Sequence, residues 1–227
     1  MVLAVCTGAL LSYLVDGNEL PDRPLVAVVP VAADARAGGR PGTDPVSAML
    51  VELPANLDNP IDRLMAIHEG TRGDEEDYVA PAADTLAAWA GHAAPTVLAN
   101  AARAYSGMQR TDRRRPAANL VVTLIPGPDF PLYLGGAEFT ACVPLGPVLD
   151  RMGGNITVMS YRGVLYWGIQ ACPKTITMAW RLAAAVPLSL DQLLAGAGLA
   201  PADYRWGEAA DAVRAAGCGP ERPKPAP

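Results

Sequence analysis

Asn119-Leu120-Val121-Val122-Thr123-Leu124-Ile125-Pro126-Gly127-Pro128, and further on Asn155-Ile156-Thr157-Val158-Met159-Ser160-Tyr161-Arg162-Gly163-Val164-Leu165-Tyr166-Trp167-Gly168-Ile169-Gln170, decide how this chain reads. Residues 119–125 are a short β-branched and aliphatic run closed by a Pro-Gly-Pro that cannot continue a ladder, which predicts a buried strand ending in a sharp turn. Residues 156–161 and 164–169 flank Arg162-Gly163, a two-residue link in which Gly accepts positive φ, so a β-hairpin is expected there. A further strand is expected over 138–143.

Outward from this stretch, residues 24–31 and 46–53 are apolar runs rich in Val and bounded by Pro, Gly and Asp, and read as buried strands. The glycines between them, in 36–45, lack a following Gly-Lys-Ser/Thr and a strand-to-helix frame, so they read as a loop rather than a phosphate cradle. Val2, Val5, Cys6, Ala9, Leu10, Tyr13 and Leu14 fall at helical spacing, giving an opening amphipathic helix ended by Asp16-Gly17. No capping residue precedes it, as expected of a start inside an existing element. Pro60 begins a helix with Ile61, Leu64, Met65 and His68 on its apolar face. Helical patterns follow around Leu86, Trp89, Ala90 and Ala93, after Pro95 to about Tyr105, and over 176–185 and 188–197. The acidic run Asp74-Glu75-Glu76-Asp77 reads as first-turn, dipole-complementing residues rather than metal ligands. The segment Thr111-Asp112-Arg113-Arg114-Arg115-Pro116 reads as a solvated linker, with contact to an anionic lipid or coenzyme A phosphates as its functional alternative. Residues 217–227 are Pro-rich and expected to be disordered, within a tail spanning 201–227.

Composition excludes whole classes. With 51% hydrophobic residues in 227 the chain can bury one large core, and a net charge of -5 with a pI near 5.0 argues against a nucleic-acid partner, which would require a basic surface. Cys6, Cys142, Cys172 and Cys218 form no Cys-x-x-Cys, and two histidines supply no zinc set. Reduced, buried thiols in a cytosolic setting are expected. No apolar run reaches the roughly 18 residues of a spanning helix, and the first residues lack the basic start of a signal peptide, so any membrane contact is expected to be peripheral.

Nucleophile motifs are equally scarce. Ser106 lies in Ala104-Tyr105-Ser106-Gly107-Met108, which is not Gly-x-Ser-x-Gly, and this removes most support for a hydrolase. His68 is expected to be buried and structural, His92 to lie at the surface near a helix end. The Pro126-Gly127-Pro128 and Pro144-Leu145-Gly146-Pro147 segments hold no titratable group and by themselves speak only for backbone shape.

Taken together with Pro131-Leu132-Tyr133-Leu134-Gly135-Gly136-Ala137, these segments resemble the C-terminal half of bacterial wax ester synthase/diacylglycerol acyltransferases, over about residues 2–194. The resemblance implies an α/β domain of about residues 1–200, a mixed sheet with packed helices forming one half of a chloramphenicol-acetyltransferase-like fold. It implies the family reaction, esterification of diacylglycerol or a long-chain alcohol by fatty acyl-CoA, with acyl-CoA a co-substrate and no bound cofactor or metal. Substrate tunnels in such folds run between the two halves. Thr123, Pro126, Gly127, Pro128, Pro144, Leu145, Gly146 and Asn155 are the residues expected to line them. Two departures stand out: Thr123-Leu124-Ile125 replaces the usual Ser-Asn-Val before Pro-Gly-Pro, and the His-His-x-x-x-Asp-Gly motif that supplies the family's base is absent, since His68 is followed by Arg72 and His92 by Thr96 at the Asp position. A separately encoded N-terminal catalytic half or a homo-oligomer is therefore the expected partner, with lipid substrates, at a membrane or lipid-droplet surface. The alternative is a non-catalytic lipid-binding or partner-binding domain.

Overall fold

The structure, a computed structural model, describes residues 1–32, 46–72, 118–149 and 151–201. The elements run α1 (Val2–Asp16), β1 (Leu25–Ala32), β2 (Val46–Leu53), α2 (Pro60–Arg72), β3 (Leu120–Ile125), β4 (Tyr133–Leu134), β5 (Ala137–Glu138), β6 (Gly154–Tyr161), β7 (Val164–Ala171) and α3 (Ala179–Gly196). Five strands form one mixed sheet in the order β2-β1-β3-β6-β7, antiparallel at both edges and parallel at β1–β3 and β3–β6. This is the α/β architecture expected, a mixed sheet with packed helices. The loop at 36–45, the acidic run, the helices around 86–105 with His92 and Ser106, the arginine linker and the tail, Cys218 included, lie outside the described residues.

Strand alternation divides the sheet into two unlike faces. Ala27, Val51, Leu53, Leu120, Val122, Ile156 and Val158 point to one side, where α1, α2 and α3 cover them with Val5, Leu10, Ile67, Leu182 and Leu193. Val28, Ala48 and Val121 point to the other, where Leu149 and Met152 cover them without any helix among the described residues. We call these the helix face and the open face, open only in that no described helix lies on it, since Val28 and Val121 there are 3% and 0% exposed.

Three helices can crowd one face because small residues let them approach. Residues 4–10 of α1 are buried in an unbroken run rather than a stripe. A Cβ on Gly8 would overlap the Ser189 hydroxyl of α3, and that hydroxyl donates to the Val5 carbonyl at 2.9 Å. Arg63 of α2 is also buried here, with Nη1 on the Leu57 carbonyl at 3.2 Å and no partner for Nε among the described residues. Burial, opposed by nearby Asp58, lowers its pKa.

Four expectations are corrected. The two helices expected over 176–197 are one, α3, which runs through Pro187. Tertiary packing outweighs the lost backbone bond, because Ala185, Val186 and Ser189 around the proline are buried against α1 and the sheet. The face of α2 is rotated from the one expected. Ile67 and Arg63 are buried, whereas Met65 is 50% exposed and His68 is exposed, its carbonyl accepting from the Thr71 hydroxyl. Residues 139–143 are not a strand, since β5 stops at Glu138 after pairing with β4. Finally, among the described cysteines only Cys6 is buried; Cys142 and Cys172 are half-exposed, and all three are free thiols.

Candidate functional site: the open face at β3, β6 and β7

The hairpin expected at Arg162-Gly163 forms with both residues at positive φ, 51° and 76°, and pairs Tyr161 with Val164. It fixes the register that brings the expected site residues together. On the open face, Thr123 lies beside Thr157 in the parallel pairing of β3 and β6, and Thr157 donates to Asn155 Oδ1 at 2.8 Å. Asn155 is 1% exposed, and its amide donates to the Pro147 carbonyl at 3.0 Å. Gly146 sits against that same amide, where a Cβ would come within 2.6 Å of Nδ2. Pro144 passes over β7 so closely that a Cβ on Gly168 would overlap its carbonyl oxygen.

Pro126-Gly127-Pro128 does not make the sharp turn expected of it. The chain leaves β3 and continues beside the end of β6, where the Gly127 N–H donates to the Ser160 hydroxyl at 3.0 Å and Pro128 O accepts from the Arg162 N–H at 3.1 Å. The bend comes after, at 129–130. Glycine is required at 127 because a Cβ there would overlap the Ser160 carbonyl.

Tyr161 then holds the outgoing and returning chain with one hydroxyl. It accepts from the Leu132 N–H at 2.9 Å and donates to the Phe139 carbonyl at 3.1 Å. Arg162 pairs with Glu138 at the same level. Beyond this clamp the β4–β5 hairpin projects, exposing Phe130, Tyr133 and Leu134.

Of the expected residues, Pro144, Gly146 and Asn155 touch one another's segments, Thr123 is one residue pair away, and Gly127 and Pro128 lie at the Ser160 end of the same strand pair. Leu145 is 63% exposed and reaches back to Gly168. Residues missed by sequence reasoning are Gly168, Cys142 with Met159 (Sγ to Sδ 3.6 Å), and Tyr166, whose hydroxyl donates to the Thr140 carbonyl at 3.2 Å. Gly168 had a signal: glycine inside Val164–Ala171 marks a close backbone approach.

The chemistry available on this face is limited. It offers backbone carbonyls, hydroxyls, an amide, sulfur and, at its rim, the Arg162–Glu138 ion pair, but no imidazole among the residues named. The one described histidine, His68, is on α2 at the helix face. No group of three His, Cys, Asp or Glu side chains that could hold a metal exists among the described residues, and none of the described helices is long and apolar enough to cross a membrane.

Residues 44–194 match the family model described as the WS/DGAT C-terminal domain, and the chain belongs to the wax ester synthase/diacylglycerol acyltransferase family. It is 34% identical over 194 residues to a Mycobacterium tuberculosis protein named as a diacylglycerol O-acyltransferase, covering 86% of this chain and 38% of that one. It is likewise 34% identical to O-acyltransferase WSD of Acinetobacter baylyi, covering 78% of this chain and 37% of the relative. The solved wax ester synthase/diacylglycerol acyltransferase from Marinobacter aquaeolei VT8 superimposes with a TM-score of 0.60 at 29% identity, over 87% of this chain and 43% of that one. The chain therefore spans about two fifths of the length of the relatives it matches.

Proposed function

We propose that this domain serves O-acyl transfer from a fatty acyl-CoA to diacylglycerol or a long-chain alcohol by shaping and lining the substrate path. The general base comes from a His-His-x-x-x-Asp-Gly segment that these 227 residues do not contain. Acyl transfer needs a base for the acceptor hydroxyl and donors for the developing oxyanion. The observation that carries the reading is the gathering of Thr123, Pro144, Gly146 and Asn155 on one sheet face, with Gly127 at the end of the same strands and the sole described imidazole on the other side of the sheet. Thr123, Pro126, Gly127, Pro128 and Leu145 line the path, and Asn155 holds Pro147 in place beside it. Leu124, where relatives of this family carry Asn, is paired with Val158 on the helix face and so lies off this path. The substrates are lipids, so the domain works at the edge of a lipid phase.

Reconstitution tests this reading. The purified chain with palmitoyl-CoA and either diolein or hexadecanol should give no ester above the uncatalysed background. Addition of a separately expressed N-terminal portion of the Acinetobacter relative, bearing the histidine motif, should give turnover that Gly127→Val in this chain abolishes. Turnover by the chain alone, lost on changing His68 or His92, would overturn the reading. Failure of the pair to turn over, together with lipid binding by this chain alone, would support a non-catalytic lipid-binding domain instead.

A further inference from the structure

Between Phe139 and Leu149 the chain crosses the open face of the sheet without joining it. Residues 140–147 make no backbone-to-backbone hydrogen bond among the described residues. Their attachments come almost entirely from side chains of β6 and β7. Tyr161 holds the Phe139 carbonyl, Tyr166 the Thr140 carbonyl and Asn155 the Pro147 carbonyl, while Cys142 meets Met159 and Pro144 rests on the bare Cα of Gly168. Exposure alternates along the segment: Cys142, Pro144, Gly146 and Val148 are half-buried toward the sheet, and Val143, Leu145 and Pro147 are exposed. It is an extended strap lying on the sheet, dry beneath, where Asn155 and Thr157 are 1% and 4% exposed.

A ladder strand is zipped by a row of mutually supporting backbone bonds. Isolated side-chain bonds are individually weak in net terms, and a segment held only by them opens before the whole molecule does. Both ends of this segment are tied by backbone bonds, the Phe139 N–H to Leu132 O at 2.9 Å and Leu149 O to the Met152 N–H at 3.1 Å, and Leu149 is buried. We propose that residues 139–149 form a hinged strap, fixed at Phe139 and Leu149, that lifts as a unit from β6 and β7 and bares the Asn155 amide, the Thr157 hydroxyl, Met159 and Gly168. The lifting can be measured with no lipid or partner present.

The cysteines supply the test. In a Cys218→Ser background three thiols remain: Cys6 in the core, reachable only by global unfolding; Cys172, half-exposed with no contact to the strap; and Cys142, half-exposed on the strap itself with its sulfur turned in against Met159. Labelling by N-ethylmaleimide, followed site by site with mass spectrometry across urea concentrations below the unfolding transition, should show three behaviours. Cys172 labels fast, Cys6 labels with steep urea dependence, and Cys142 labels at an intermediate rate with shallow dependence. Tyr166→Phe, which removes one hydrogen bond to the strap, should raise the Cys142 rate about tenfold with Cys6 unchanged, and Asn155→Ala, which removes the bond to Pro147 and also the one from Thr157, should raise it at least as much. Cys142 tracking Cys6 in wild type would mean that the strap opens only when the molecule unfolds. Cys142 labelling as fast as Cys172 would mean that it is not held down at all. Either result overturns the proposal, as does a Cys142 rate untouched by both substitutions.

Discussion

Pro144 and Gly168 stand backbone to backbone, the Pro144 carbonyl oxygen filling the space that a Cβ at 168 would need. A residue in the middle of β7 is thus kept bare by a segment more than twenty positions earlier in the chain. The same device recurs at Gly127 under the Ser160 carbonyl and at Gly146 on the Asn155 amide. These three contacts, rather than any titratable side chain, define the shape of the open face.

Gly168→Ala should therefore lower stability by about 1 to 3 kcal/mol, the usual penalty for forcing atoms into packed space, and should raise the reactivity of Cys142. Urea denaturation checks the first and thiol labelling the second. An unchanged midpoint would show that the strap does not rest on β7.

His68→Ala should change stability by less than about 0.5 kcal/mol, because the side chain is exposed and its backbone carbonyl, not its ring, accepts from Thr71. Thermal unfolding decides it. A clear drop in Tm would restore the buried role that the sequence suggested.

That reversal shows how far the sequence carries. Residues 46–53, 120–125 and the hairpin at Arg162-Gly163 were legible because strand pattern and turn chemistry are local. The choice between Ile67 and His68 for the buried side of α2 was not, since a rotation of one residue on a helix depends on where α1 and α3 press. The helical patterns over 176–185 and 188–197 left a gap that holds Pro187, but the packing of α3 against α1 carries one helix through it. The expected site residues came from resemblance; the structure brings Gly146 and Asn155 into contact and sets Gly127 and Pro128 apart, at the Ser160 end of β6. What no local pattern could supply was the strap, because its contacts, Thr140 with Tyr166 and Pro147 with Asn155, join positions far apart in sequence and involve no periodic pairing.

Cys6 gives a pH dependence of defined sign. Burial pushes its thiol from 9.0 up to about 12, with its own backbone hydrogen bond and the N-terminal charge acting weakly the other way. Below pH 9 both states keep the proton. Between 9 and 12 the unfolded chain loses it while the folded chain keeps it, so stability falls as pH rises, by at most about 1.4 kcal/mol per unit. Urea titrations at pH 8 to 10.5 should show this slope in wild type and a shallower one in Cys6→Ala. Equal slopes would mean that Cys6 is not sealed in the core.

Cys172 should behave oppositely. A hydrogen bond from the Thr175 hydroxyl, helped by the Lys174 backbone and charge, lowers its pKa despite slight desolvation. At neutral pH it should be the most reactive of the three described thiols, and Thr175→Ala should slow it. A rate insensitive to that change would remove the hydroxyl from the explanation.

The claim that the open face, not the helix face, receives the acyl group is tested most directly by photolabelling. A palmitoyl-CoA analogue carrying a diazirine along its chain, irradiated with the domain in the presence of the relative's N-terminal portion, should leave adducts that peptide mapping can place. The account predicts adducts in residues 123–128, in 139–149 and on Met159, suppressed by excess palmitoyl-CoA. Competable adducts confined to α1, α2 or α3, with none on the strap or β6, would contradict it.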